Sequence, residues 1–149
     1  MSEFYQFAVD KFIFRVKKGL LYSKDDVWVK IEESHVRIGV TDFHQMSGGD
    51  ILFVELPKVG SKVKHLEAVA QFETIKAVYE VVSPLGGAVA ETNKKLEDKP
   101  EIINEDPYGE GWLFQLSPDS FGEDARQLLT AEQYFELMKG KIETERKKL

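Results

Sequence analysis

Short stretches in which hydrophobic and polar residues alternate make up much of the chain. Their apolar members lie two residues apart, as in a β-strand with one buried face. These members are Phe12, Phe14 and Val16, then Val27, Val29 and Ile31, then Val36, Ile38 and Val40. The run over residues 51–56 is almost continuously apolar, which predicts a strand buried on both faces. Turns rich in Gly and Pro separate the segments, and this spacing favours an all-β sandwich or barrel.

Two helical segments interrupt the β pattern. Thr41 or Asp42 is placed to cap a short helix that runs through Met46 and ends at Gly48-Gly49. Near the other end of the chain, residues 130–133 form a capping box ahead of apolar residues at helical spacing. We therefore expect a mainly β fold with a short internal helix and a C-terminal helix.

The composition indicates one folded domain. The chain has 149 residues, of which 42% are hydrophobic and 31% are charged, and no apolar run approaches the roughly 20 residues of a membrane span. The net charge of -6 argues against nucleic acid and anionic membranes as partners, because phosphate binding needs a basic face. Charged residues interrupt the apolar stretch over residues 4–16, so we expect no targeting signal and a cytoplasmic location.

Residues that commonly catalyse reactions or bind metals do not group in this sequence. Cysteine is absent, which excludes disulfides, thiolate metal sites and a cysteine nucleophile. His35, His44 and His65 lack the spacing of metal ligands, and we interpret them as structural or surface residues. The acidic residues over positions 97–110 form either a solvated face or a docking patch for a partner. We expect no catalytic site and no bound metal.

The most informative segment spans residues 70–82. It is rich in β-forming residues on both sides of Lys76, which predicts a hairpin with this lysine at or next to its tip. A lysine in a turn often serves only as a solubilising charge. The alternative is a carrier lysine, because an amine on a rigid hairpin is accessible to a modifying enzyme and becomes a swinging arm once acylated.

Several blocks of sequence resemble the H-protein family of the glycine cleavage system. They are Tyr22-Ser23-Lys24 followed by Trp28-Val29, residues 39–43, residues 49–57, Glu73-Thr74-Ile75-Lys76-Ala77, and residues 104–112. The fourth block is similar to the family's lipoylation motif, Glu-Ser-Val-Lys-Ala. The resemblance extends over about residues 21–134, and its blocks occur in the family's order.

The resemblance implies a barrel-sandwich hybrid of β-strands. Its parts would be an N-terminal extension (residues 1–19), a lipoyl-carrier β domain (residues 20–117) and a C-terminal helical segment packed on that domain (residues 118–149). It also implies that lipoate is attached covalently to Lys76. The enzymes that lipoylate this family are sensitive to a Glu three residues before the lysine and a Gly sixteen before it, and Glu73 and Gly60 occupy those positions.

The implied function is that of a non-catalytic carrier. On its lipoyl-lysine arm it would shuttle an aminomethyl intermediate of glycine between the enzymes of the glycine cleavage system. The implied partners are a pyridoxal-phosphate glycine decarboxylase, an aminomethyltransferase, a dihydrolipoyl dehydrogenase and a lipoylating enzyme.

Some residues near the predicted arm depart from the family pattern. Val27 stands where the family has a Glu that can pair with the amine of the cargo, and Glu80 replaces an Asp. Asp25 is the candidate substitute charge, Tyr79 replaces a small residue, and Ser47-Gly48 stands where Ala-Leu is common. We group Asp25, Val27, Tyr79 and Glu80 as the arm cleft. A cleft without the Glu is compatible with an alternative, an H-like lipoate-binding protein that carries sulfur intermediates for a heterodisulfide-reductase-like complex.

Two other classes of carrier match the sequence less well. Biotin carriers place the modified lysine between methionines, whereas Ile75 and Ala77 flank Lys76. Lipoyl domains of 2-oxo-acid dehydrogenases usually have Asp before the lysine and lack a loop like residues 107–112. They also occur in longer chains with flexible linkers, and no such linker is found in this sequence.

Overall fold

The fold is built from antiparallel strands with helices around them. The computed structural model describes residues 2–147 of the chain. The strands are Phe4–Val9 (β1), Phe12–Lys17 (β2), Leu21–Tyr22 (β3), Val27–Ile31 (β4), Val36–Val40 (β5), Ile51–Glu55 (β6), Lys62–Val63 (β7), Ala68–Thr74 (β8), Val78–Val82 (β9), Gly87–Thr92 (β10), Phe114–Pro118 (β11) and Leu129–Thr130 (β12). The helices are Asp42–Met46 (α1), Lys95–Asp98 (α2), Ile102–Glu105 (α3), Phe121–Asp124 (α4) and Ala131–Lys147 (α5), with a 3-10 turn at Ala125–Gln127.

Two sheets share the main hydrophobic core. One has the strand order β12-β3-β4-β5-β11-β10-β7, and the other has the order β6-β8-β9. Val29 of β4 lies opposite Ile38 of β5, and both are buried in one hydrophobic cluster with Phe72 and Val81 of the smaller sheet. The expectation of a mainly β fold with an internal and a C-terminal helix is confirmed. The sheets of the described chain do not close into a barrel.

A second hydrophobic cluster joins the two ends of the chain. The alternation at Phe12, Phe14 and Val16 correctly predicts a strand, and β1 is its antiparallel partner. Val16 packs with Tyr134 of α5 in this cluster. The division at residues 1–19, 20–117 and 118–149 stays a prediction, and residues 1, 148 and 149 of its end segments lie outside the described residues.

The two predicted helices begin where the capping signals indicate. The hydroxyl of Thr41 accepts a hydrogen bond from the backbone N–H of His44 at the start of α1. At the start of α5, Thr130 Oγ1 accepts from the N–H of Gln133 (3.2 Å), and Gln133 Oε1 accepts from the N–H of Thr130 (3.0 Å). This reciprocal pair is a capping box. None of the described helices is apolar for long enough to cross a membrane.

The apolar run over residues 51–56 is not buried on both faces, so that prediction is wrong. Its strand, β6, lies at the edge of the three-stranded sheet. Ile51 faces the core, whereas Phe53 is 66% exposed. Sequence alternation cannot distinguish a central strand from an edge strand whose outer face carries apolar residues.

Candidate functional site

Lys76 lies in the tight turn that connects β8 to β9. The buried Oγ1 of Thr74 accepts hydrogen bonds from the backbone N–H groups of Lys76 (3.1 Å) and Ala77 (3.3 Å). The N–H of Thr74 donates to the carbonyl of Ala77 at 2.9 Å. These bonds hold the backbone of the turn while the side chain of Lys76 remains exposed. The prediction of a hairpin with the lysine at its tip is confirmed. The role of Thr74 was missed, although a Thr beside a turn is a known signal for such bonds.

Aromatic residues anchor the hairpin below its tip. The rings of Phe72 and Tyr79 stack across β8 and β9, with centroids 5.5 Å apart. His44 of α1 lies over Phe72 at a centroid distance of 5.2 Å, and its Nε2 is 3.1 Å from the carbonyl oxygen of Glu80. Burial lowers the pKa of His44, so the ring is neutral at neutral pH and Nε2–H is the donor to that carbonyl. The interpretation of His44 as a structural residue agrees with this position, in which it ties α1 to the hairpin.

Gly48 makes room for Tyr79. A Cβ atom at Gly48 would lie 2.4 Å from Cε2 of the Tyr79 ring and 3.0 Å from Cγ2 of Thr74. The Tyr79 hydroxyl donates to the carbonyl of Ser47 at 3.4 Å. Two departures from the family pattern are therefore complementary, because the larger residue at position 79 occupies space left by the absent side chain at position 48.

Glu73 and Glu80 lie on the outer face of the hairpin sheet. Glu73 is paired in register with Val78 on one side and Phe53 on the other, and all three are exposed. Glu80 lies opposite Gln71 in the next exposed row. The position of Glu73 beside the tip makes its carboxylate accessible to any protein that approaches Lys76.

The four residues predicted to form an arm cleft do not converge on one surface. Tyr79 is half-buried on the inner face of β9, and Glu80 is exposed on its outer face. Asp25 is exposed in the turn before β4. Val27 is fully buried in the main core, so it does not line a surface cleft. The apolar side chain of Val27 fits this buried position, whereas the carboxylate of a Glu there would need a hydrogen-bond or ion-pair partner.

In the turn before β4, the carboxylate that other side chains bind is that of Asp26, not that of Asp25. Its side chain accepts hydrogen bonds from Nζ of Lys141 (2.9 Å) and from the hydroxyl of Tyr134 (2.7 Å). Burial raises the pKa of Tyr134 well above its usual value, which keeps the phenol protonated as a donor. Thr41 completes the network through a contact of 2.8 Å with the Tyr134 hydroxyl. The network fastens α5 to the start of α1, and sequence reasoning passed over it because its members are distant in the chain.

Gly60 adopts the left-handed backbone conformation, with φ +87°, which glycine populates without the steric penalty of a side chain. Its N–H donates to the carbonyl of Val89 at 2.7 Å, so this turn is tied to β10. The structural part of the expectation for Gly60, a tight turn, is confirmed. Its part in lipoylation stays a prediction.

Two acidic side chains of the region over residues 97–110 are bound to neighbouring groups of the chain. Glu110 pairs with Lys95 at 2.8 Å, and this partner lowers the pKa of the carboxyl. Asp106 Oδ2 accepts from the N–H of Glu110 at 2.9 Å. A docking role for the region stays a prediction. Within residues 2–147, no three His, Cys, Asp or Glu side chains are grouped so that they could hold a metal ion.

The sequence model of the "Glycine cleavage H-protein" family matches residues 20–141. The chain belongs to this H-protein family. A protein described as "Probable glycine cleavage system H protein" from Pyrococcus abyssi is 44% identical over 127 residues, which cover 85% of this chain and 94% of the relative. The "Glycine cleavage system H protein" of Bacillus velezensis is 43% identical over 120 residues, which cover 80% of this chain and 94% of the relative.

A solved H protein also has the same fold. The crystal structure of a glycine cleavage system H protein from Mycobacterium marinum superposes with a TM-score of 0.72 at 34% identity, covering 80% of this chain and 95% of the other. The family match begins at residue 20, so the hairpin of β1 and β2 lies outside it. The sulfur-carrier alternative gains no support from the relatives named here.

Proposed function

We propose that the chain is a lipoyl carrier whose arm is attached to Lys76 through an amide bond. The observation that carries the proposal is an exposed lysine in a turn whose backbone is held by Thr74. A modifying enzyme can reach such an amine, and an acylated side chain can swing while its point of attachment stays still. Membership in the H-protein family supports lipoate as the acyl group.

The surroundings of Lys76 fit a covalently attached lipoyl group. Its ammonium has no ion-pair partner among residues 2–147, so acylation removes no stabilising pair. The dithiolane supplies the redox and group-carrying chemistry when it is bound. Phe72 and Tyr79 anchor the strands below the turn. The absence of cysteine means that no thiol of the chain can capture the arm in a mixed disulfide.

The proposed cargo is the aminomethyl group derived from glycine. Membership in the H-protein family supports this cargo. The proposed partners are the pyridoxal-phosphate glycine decarboxylase, the aminomethyltransferase, the dihydrolipoyl dehydrogenase and the lipoylating enzyme, with the chain itself as a non-catalytic carrier. A cytoplasmic location stays a prediction.

The surrounding residues have distinct proposed roles. Glu73 and Gly60 serve recognition by the lipoylating enzyme. Glu80 offers an exposed carboxylate to the amine of the cargo, and Asp25 is a second exposed acid that could act in the same way. Tyr79 limits the space beside the hairpin in which the arm can rest.

Reconstitution tests this function. The lipoylated chain, mixed with the decarboxylase, aminomethyltransferase, dihydrolipoyl dehydrogenase, tetrahydrofolate and NAD+ as the oxidant of the reduced arm, should release carbon dioxide from labelled glycine. Lys76→Arg should release none. The lipoylated H protein of Bacillus velezensis serves as the positive control for the enzymes. If that protein supports the reaction and the lipoylated chain does not, the proposed function is wrong.

A further inference from the structure

The strands β1 and β2 form a separate two-stranded sheet, which we call the N-terminal hairpin. It lies outside the family match. Side chains from the rest of the chain bind the outer edge of β2. The backbone N–H of Arg15 donates to Oδ2 of Asp42 at 2.9 Å, and its carbonyl accepts from the hydroxyl of Tyr108 at 2.6 Å. The carbonyl of Lys17 accepts from the hydroxyl of Tyr22 at 2.5 Å. This edge of the hairpin is therefore occupied, and β1 is the other edge.

The outer edge of β1 has backbone groups without partners. Gln6 lies opposite Arg15, and in an antiparallel ladder the two members of a pair either exchange both bonds or both point outward. Because the groups of Arg15 are bound on the far side of β2, those of Gln6 point away from β2, as do those of Ala8 two residues on. Across residues 2–147, the N–H and carbonyl groups of Gln6 and Ala8 have no hydrogen-bond partner, and both residues are exposed.

The features that normally protect an edge strand are missing from β1. Natural edge strands carry charged residues, Pro or a bulge. Phe4–Val9 contains neither a charged residue nor a Pro, and its register with β2 is unbroken. At its start, Ser2 Oγ accepts from the N–H of Phe4 and donates to the carbonyl of the same residue, so the open stretch begins at Gln6. An open and uncharged edge of this kind favours pairing with another strand.

This open edge is complementary to itself. When two copies of β1 lie antiparallel with Phe7 on the twofold axis, Gln6 of each copy is opposite Ala8 of the other, and all the open groups are bonded across the axis. The same register brings Lys11, in the turn of the hairpin, towards Glu3 of the second copy. In the part of the chain that the structure describes, neither of these exposed side chains forms an ion pair. Opposite charges therefore meet on both sides of the axis.

We propose that a second copy of this chain docks along β1, so that two N-terminal hairpins join into one sheet with the strand order β2-β1-β1-β2. The contact is isologous, because the same edge serves both copies. It buries one strand edge from each copy, and interfaces of this size are weak and reversible, so we expect a dissociation constant of about 10–100 µM. Lys76 lies between strands of a different sheet, so the inference can fail while the proposed function holds, and the reverse.

Sedimentation equilibrium of the full chain measures the association. Between about 1 µM and 1 mM, the mass should rise from 17.0 kDa towards twice that value. Ala8→Pro removes a donor that points away from β2, and proline is tolerated at such an edge position of its own hairpin. We expect this variant to raise the dissociation constant by about tenfold or more, because the lost donor acts twice across the axis.

Charge exchange tests the register. Lys11→Glu puts a carboxylate beside Glu3 of the second copy and should raise the dissociation constant by about fivefold. The double variant Glu3→Lys/Lys11→Glu restores opposite charges and should return to within about twofold of the original value. The matched control is Lys30→Glu, which makes the same change of charge at an exposed lysine of β4 and should leave the association unchanged.

Amide exchange locates the contact. The N–H groups of Gln6 and Ala8 should exchange more slowly as the protein concentration rises, because they become bonded only in the dimer. The N–H of Phe7 is the internal control, since its pair with Phe14 is already bonded within the hairpin.

The outcomes are decisive in both directions. A chain that stays monomeric up to about 1 mM overturns the inference. A dimer whose affinity is unchanged in both Ala8→Pro and Lys11→Glu also overturns it, because its interface then lies elsewhere. Urea midpoints show whether each variant folds, and the charge variants decide the question if Ala8→Pro does not. Weakening by Lys11→Glu, recovery in the double variant and an unchanged Lys30→Glu support it.

Discussion

Replacement of Gly48 by Ala should destabilise the protein through Tyr79. The new methyl group would lie 2.4 Å from Cε2 and 2.8 Å from Cζ of the ring. The backbone of Gly48 is not in the left-handed region, so the conflict is one of space and not of backbone conformation. Tyr79 can yield only by giving up its stacking on Phe72 and its bond to the carbonyl of Ser47.

The magnitude follows from two opposing effects. Overpacking of this kind costs about 1–3 kcal/mol, and the loss of a glycine from the unfolded chain returns about 0.4–1 kcal/mol. The difference is a net destabilisation of about 0–2.6 kcal/mol, centred near about 1.3 kcal/mol. In a Tyr79→Ala background the ring is gone and the 3.0 Å contact with Cγ2 of Thr74 remains, so Gly48→Ala should be close to neutral, because that contact opposes the gain of about 0.4–1 kcal/mol from the lost glycine. The substitution is therefore predicted to destabilise the protein clearly only when Tyr79 is present.

Urea unfolding followed by tryptophan fluorescence measures the effect. Trp28 is buried in the second hydrophobic cluster and reports on folding, and a chain of this size suits two-state analysis. Gly140→Ala is the matched control, because a Cβ there meets nothing within 4 Å. It should stabilise α5 by about 0.5–1 kcal/mol in both backgrounds. If Gly48→Ala has the same effect with and without Tyr79, the two residues are not coupled and the reasoning is refuted.

Three further predictions concern other parts of the fold. Thr130→Ala removes the hydroxyl that accepts a hydrogen bond from the N–H of Gln133 and should lower the free energy of unfolding by about 1 kcal/mol. An unchanged urea midpoint would show that this cap does not stabilise α5. Asp26→Asn removes the charge that pairs with Lys141 and keeps a residue that tolerates the left-handed backbone at this position (φ 67°). It should cost about 1.5–3 kcal/mol, and a loss below about 1 kcal/mol in the same assay would show that the pair contributes little. Burial lowers the pKa of His44, so below about pH 6.5 the unfolded chain takes up a proton that the folded chain resists, and stability falls. His44→Gln should lose less stability than the original chain between about pH 7 and pH 5, and equal slopes of the urea midpoint against pH would contradict this.

Local signals in the sequence were sufficient to place many elements. Thr41 and residues 130–133 mark the starts of α1 and α5 because capping depends only on neighbours in the chain. Alternation identified β2, β4 and β5 because each has apolar residues two apart in a core. In β4, however, Trp28 on the opposite face is also buried, and Ile31 is exposed. The position of Lys76 followed from β-forming residues on both sides of a short turn.

Features that depend on distant pairs could not be predicted from the sequence. Gly48 and Tyr79 are both visible as departures from the family pattern, but only the folded chain brings them into contact. Residues 51–56 have the composition of a central strand, yet the order of strands puts β6 at an edge. Val27 was grouped with the arm cleft by its position in the family motif, whereas its strand directs it into the core.

The central claim is that Lys76 carries the lipoyl group, and the mass of the modified chain tests it most directly. The full chain is incubated with lipoate, ATP and a lipoylating enzyme, and intact mass and peptide mapping follow. We predict one lipoyl increment on the peptide that contains Lys76, the same increment for the control Lys30→Arg, and none for Lys76→Arg. An unmodified chain, or an adduct on another lysine that persists in Lys76→Arg, would contradict the account.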